Sequence, residues 1–170
     1  MISWLLAAAL SLAGTSIDAP PSHPQVMEVP RELQDQWQVV LEGGRNDQER
    51  LRRLLDFLAD TEHGLAMKYR DDATLTVTEA YRTRQANCLT YTMLFIALAH
   101  FAGLDAYPQE IDETLAWQQR DGIVYRTNHV NAGVRVGTRR YTVDVGSSFV
   151  MARHPAHRIT PERLLAQYYN

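Results

Sequence analysis

Cys88 is the only cysteine in the chain, which narrows its chemistry to two readings. A single thiol excludes an intramolecular disulfide framework and any structural zinc site built on several thiolates. What remains is a buried inert thiol or a nucleophile. A cysteine nucleophile reacts as the thiolate, and the first turn of a helix favours that anion through its unpaired N–H groups and positive dipole end. Cys88 opens the apolar run Cys88 to Ala102 (CLTYTMLFIALAHFA), with Gly103 where a helix C-cap would sit. The N–H groups at such a start, its own included, can also hold the oxyanion of a tetrahedral intermediate. A lone cysteine beside an apolar helix is equally an ordinary packing residue.

A thiol nucleophile needs a base, and histidine is the usual one. Of six histidines, His23 lies in a proline-rich segment, His63 near a helix end, His100 inside the apolar run, and His154 and His157 in a late loop. His129 differs. Asn128 to Val136 alternates, with Val130, Ala132, Val134 and Val136 on one face and His129, Asn131, Gly133 and Arg135 on the other. Gly137-Thr138 can turn the chain, so that Arg139 to Val145 returns as the partner strand. With those two turn residues Val136 faces Arg139 and Asn131 faces Asp144. His129 and Asp144 then share a face as diagonal neighbours, roughly 7–8 Å apart at the backbone. A one-residue bulge would break that pairing. In this register Asp144, an acid among strand-formers, can orient the imidazole and stabilise its charged form. Taken singly, Asp144 can equally be a strand residue bonding a backbone amide, and His129 a half-exposed edge histidine.

The elements that must position these residues are legible around them. Arg31 to Leu41 has Leu33, Trp37, Val40 and Leu41 at helical spacing, ended by Gly43-Gly44. Asn46 with Glu49 makes a capping-box pattern before Leu51, Leu54, Leu55 and Leu58, and Gly64 breaks that run. Arg70 to Ala86 is polar and reads as a loop with a short helix from Thr78. The Cys88 helix, apolar nearly all round, should be buried centrally. Ala106 to Ile111 reads as a strand, Thr114 to Arg126 as loop or strand, and Thr160 to Tyr169 as a terminal helix with Pro161 at its first position. The expected class is α+β: N-terminal helices and a central buried helix starting at the cysteine, packed on an antiparallel sheet.

Composition bounds the partners. The chain of 170 residues is 45% hydrophobic with a net charge of −3, and Lys68 is its only lysine, so a nucleic-acid partner is not expected. Trp4 to Gly14 is an apolar run too short to span a bilayer, followed by small or polar residues. Residues 1–19 therefore read as a signal peptide, 20–30 as a proline-rich linker, and 31–170 as one domain with its core at about 51–149. The mature chain would be periplasmic or secreted, with no membrane span. There a thiol that persists needs burial or a job.

At this point the residues resemble a family. Thr83-Arg84-Gln85-Ala86-Asn87-Cys88-Leu89 opening a long apolar helix, then Asn128-His129-Val130-Asn131 and Tyr141-Thr142-Val143-Asp144, are similar to the bacterial transglutaminase-like superfamily. The resemblance implies a papain-related fold with Cys88 as nucleophile, His129 as general base and acid, Asp144 as orienting carboxylate, and acyl chemistry on a peptide or protein amide through a thioester. It needs no cofactor. The animal cross-linking enzymes have an aromatic residue where this chain has Leu89, and Asp71-Asp72 and Asp112-Glu113 lack the spacing of a calcium loop, so water is the expected acyl acceptor. Similar bacterial proteins often continue into a tetratricopeptide-repeat region, which makes such a module or partner a further expectation.

Gln85, Asn87 and Asn128 are candidate oxyanion or substrate donors, although asparagine at a helix start or strand end is usually a backbone cap. Trp117 and Tyr125 are as readily packing residues as cleft residues. His154 and His157, without a nearby carboxylate, do not make a metal site. Two other readings accompany the peptidase or amidase: a non-catalytic peptide- or partner-binding module on the same fold, and an acyltransferase of the arylamine N-acetyltransferase type.

Overall fold

Helix α5 (Cys88–Phe101) is buried along both sides, from Leu89, Thr90 and Thr92 through Phe95 and Ile96 to Leu98 and Ala99, because it lies between other helices and a sheet. The computed structural model describes residues 19–120, 122–145 and 154–170; for residues 112–118, 120, 123 and 125–127 it describes the backbone alone. The signal-peptide expectation, residues 1–19, lies outside this range except for Ala19. No helix among the described residues is long and apolar enough to cross a membrane.

Two N-terminal helices cover one flank of α5. Helix α2 (Arg31–Leu41) contributes the fully buried Leu33 and Trp37. The Trp37 indole donates to the Leu98 carbonyl at 3.0 Å and stacks on Phe57 of α3 (Asp47–Ala59) with centroids 5.5 Å apart. Asn46 caps α3 by accepting from the Glu49 N–H at 2.9 Å, while the Glu49 carboxylate takes the Arg45 N–H instead of that of Asn46, so the expected reciprocal box is half made. The proline-rich segment is more than a linker. It forms a short helix α1 (His23–Val26), and Val26 is fully buried in the core.

The other flank is a four-stranded antiparallel sheet in the order β5-β4-β3-β6, with β3 (Asp105–Arg120), β4 (Ile123–Val136), β5 (Arg139–Val143) and β6 (His157–Arg158). The molecule is α+β. Val130, Ala132, Val134 and Val143 join the α5 core. The hairpin has the register expected from its turn, Val136 opposite Arg139 through Ala132 opposite Val143, with no bulge. A register shift does occur on the other side of β4, between Ile111 and Ala116 of β3, and beyond it β3 and β4 continue as a longer ribbon than the alternation indicated. Trp117 and Tyr125 lie in this ribbon, their side chains outside the described set. His157, expected in a loop, lies in β6.

One small sheet was not anticipated. β1 (Lys68–Tyr69) pairs in parallel with β2 (Gln85–Ala86), setting Tyr69 opposite Ala86. Between them α4 (Val77–Thr83) starts at a capping box of Thr76 and Glu79 and ends at Arg84, whose left-handed φ of 57° turns the chain directly into β2. The chain closes with α6 (Pro161–Tyr168), capped by Thr160.

Candidate active site

Cys88 is the first residue of α5 because Asn87 stops the helix from starting earlier. Asn87 has extended backbone angles and accepts the Thr90 N–H on its side-chain oxygen at 2.9 Å. Its amide nitrogen donates to the Thr74 hydroxyl at 2.7 Å. The fully buried Thr90 hydroxyl accepts the Leu75 N–H at 2.8 Å and lies 2.9 Å from the Ala73 carbonyl. The loop before α4 is thereby tied to the first turn of α5, and the half-buried Cys88 is held at the helix N-terminus.

Where β5 ends at Val143, the edge of β4 carrying Asn131 and His129 has no further ladder partner among the described residues on that side, and Asp144 turns in beside it. The His129 Nε2–H donates to Asp144, with Oδ1 at 2.8 Å and Oδ2 at 2.7 Å. The Val145 N–H donates to Oδ1 at 2.8 Å and fixes the carboxylate. Cys88 is near enough to the ring to raise its pKa through hydrogen bonding and charge, and with Nε2 engaged by Asp144 the nitrogen left to a thiol is Nδ1. Three residues far apart in sequence are thus brought together in the order thiol, imidazole, carboxylate. Asn131, 4% exposed, points its amide N–H at Asp144 at 3.5 Å and leaves Oδ1 buried without a hydrogen-bond partner among the described residues. Such an atom costs about 1–3 kcal/mol.

Burial of His129 opposes its charge, but the hydrogen bonds to Asp144 and Cys88 and the charges of those groups outweigh it and raise the pKa from 6.5 to about 9. An imidazolium beside the sulfur at neutral pH favours the thiolate form that attacks. A histidine whose folded pKa lies above its unfolded one stabilises the fold fully below pH 6.5, and that stabilisation disappears as pH rises through about 9. Urea unfolding of the wild type should therefore show a loss on the order of 1–3 kcal/mol between pH 6.5 and 9. His129→Gln should flatten that part of the profile.

Two tyrosines and a glutamate belong to the neighbourhood, and sequence reasoning missed them. Tyr91, one turn after Cys88, has its phenol pushed up to about 12 by burial and by the Asp144 charge. Tyr69 is raised to about 12 by burial, then by the charge of Cys88, with Asp71 and Asp144 adding. The Tyr91 spacing from Cys88 was a usable signal, whereas Tyr69 arrives through a two-residue strand that has no period to read. Glu110, 3% exposed, accepts both Arg163 Nε and Nη2 at 3.1 Å, Gln167 at 3.0 Å and Asn128 at 3.2 Å. Burial pushes this carboxyl up, but the Arg163 bonds and charge, with Asn128, prevail and hold it below its ordinary value. Glu110 in β3, like Asp144, is an acid among strand-forming residues, so its sequence signal was equally present.

A cavity of about 360 Å³ opens beside the thiol, walled by Asn87, Leu89, Asn128, Val130, Gln167 and Asn170. Asn128 and Asn87 both reach it, but Asn128 donates to Glu110 and Asn87 is engaged as the cap. Gln85, half-buried in β2 three residues before Cys88, makes no side-chain hydrogen bond to a described residue. No cluster of three or more histidine, cysteine or acidic side chains suited to a metal occurs among the described residues. Compared with known proteins, the chain matches no family model and no curated protein.

Proposed function

We propose that the protein is an exported thiol hydrolase of the transglutaminase-like type, a cysteine peptidase or amidase that cleaves a peptide or protein amide through a thioester. The observation that carries this reading is His129 bonded to Asp144 on one side, with the Cys88 thiol near enough to raise its pKa. The α5 helix, starting at the thiol and packed on the antiparallel sheet that bears His129, supports the likeness in fold. Export rests on the apolar run Trp4 to Gly14.

In this mechanism the Cys88 thiolate attacks the amide carbonyl carbon and a C–S bond forms. The oxyanion is received by the Cys88 N–H at the helix start, with Gln85 as the candidate second donor. His129 then gives its proton to the departing nitrogen, the C–N bond breaks, and an amine leaves the thioester. Water, giving its proton to His129, attacks the thioester, the C–S bond breaks, and the carboxylic acid is released as the thiolate and protonated His129 are restored. Asp144 keeps the ring in the tautomer that both proton transfers need. Alkylation by iodoacetamide across pH 5–10 tests the pairing. The wild type should react readily at neutral pH, and His129→Ala should be slowed at least about tenfold there. Equal rates for the two proteins at pH 6–7 would remove the basis of the mechanism.

A further inference from the structure

The sheet face that bears Gly133 and Arg135, on the other side of β4 from the core residues Ala132 and Val134, carries a second concavity of about 400 Å³. It is lined by three arginines, Arg135, Arg140 and Arg158, with His157 beside them, and by one carboxylate, Asp105. Asp105 is already engaged by Arg135, at 2.7 Å to Nη2 and 2.8 Å to Nε. Among the described residues the lining holds no further acid to pair with Arg140 and Arg158, in a chain whose net charge is −3.

Two features make this more than a solvated basic surface. Arg140 stands directly opposite Arg135 across β4 and β5, and the acid beside the two, Asp105, bonds Arg135 through both Nε and Nη2. Arg158 is held over the Tyr107 ring, its Cζ 4.4 Å from the centroid. That ring lies flat against Gly133, where any Cβ would come within 2.3 Å of it. Glycine at 133 thus seats the ring that seats the guanidinium. A stacked guanidinium keeps its N–H edge available for bidentate bonds to an oxyanion, and the Thr142 hydroxyl and Gln109 amide line the same concavity.

We propose that this concavity is an anion-binding site for a carboxylate or phosphate group of a small ligand, held between Arg140 and Arg158. The site is separate from the Cys88 chemistry, and either reading can fail without the other. Thermal unfolding tests it with inorganic phosphate and with glutarate as probes, each against sodium chloride at matched ionic strength. At about ten times the dissociation constant a specific probe should raise Tm by about 3 °C or more, and saturably. Arg140→Gln and Arg158→Gln should each abolish that rise, and Arg139→Gln, exposed but outside the lining, should keep it. A response to phosphate alone or glutarate alone assigns the ligand chemistry. No rise above the chloride control with either, or a rise that survives in the Arg140→Gln/Arg158→Gln double variant, overturns the proposal.

Discussion

Asp144→Asn should lower hydrolysis by about 10²- to 10⁴-fold, and the alkylation rate of Cys88 at neutral pH by about tenfold, while leaving the fold in place. The cause is the tautomer. Asp144 accepts from His129 Nε2 through either oxygen, which fixes the proton on Nε2 and leaves Nδ1 to take the proton of the thiol. An asparagine has a single side-chain acceptor, and the Val145 N–H already donates to the Oδ1 position at 2.8 Å. The new NH₂ would then occupy the Oδ2 position, facing the imidazole and the Asn131 amide, and would push the imidazole proton to Nδ1, the wrong nitrogen for a base. The same change removes the charge that helps hold the His129 pKa at about 9, so the titration of its ring protons by NMR should move down towards 6.5. Both readouts are needed. A variant that loses alkylation rate with the His129 titration unmoved would have been damaged by displacement of the ring, and one that keeps both would show that Asp144 has no orienting role.

Trp37→Ala should destabilise the protein by about 3–5 kcal/mol. Trp37 is fully buried, stacks on Phe57 and spends its indole N–H on the Leu98 carbonyl, so it joins α2 and α3 to the C-terminal half of α5 at one point. Truncation removes the apolar contacts and leaves a cavity between three helices that cannot all close on it. For a chain of this size the loss corresponds to a fall in Tm of about 6–20 °C. Trp37→Phe keeps an aromatic surface and should cost considerably less, the difference reflecting the lost volume and hydrogen bond. Leu98 is ten residues past Cys88, about 15 Å along the helix, so the alkylation rate of the folded variant should stay within about twofold of the wild type. Thermal melts and alkylation well below Tm separate the two effects. A Tm within 2 °C of the wild type would mean that the three-helix junction does not carry the stability assigned to it.

Much of this architecture was legible because its signals are local and periodic. The helix from Arg31 to Leu41, the cap at Asn46, the helix from Cys88 and the turn at Gly137-Thr138 each follow from residue spacing, and the structure places them there. The hairpin is the informative case. Two turn residues fix which residue faces which, and so the pairing of His129 with Asp144 came within reach of arithmetic on the sequence. The contact of His129 with Cys88 did not. It depends on β5 stopping at Val143 and on the loop before α4 tying down the first turn of α5 through Thr90, and neither fact has a sequence period.

The same limit explains what was missed or shortened. Tyr69 enters through a two-residue parallel strand formed only because Arg84 turns the chain back. Val26 is buried although its surroundings are proline-rich, since a short helix needs a docking surface that only the assembled core provides. Glu110 became a hub because α6, more than fifty residues later, delivers Arg163 and Gln167 to it. By itself the sequence determined a solitary thiol at a helix start, a histidine and an acid in compatible strand register, and an α+β class. Tertiary structure alone decided that the thiol and the imidazole meet, and which arginines share the opposite face of the sheet. Hydrogen-bond spacing along a strand or helix is written in neighbouring residues, whereas the approach of separate elements is set by the summed packing of the whole core.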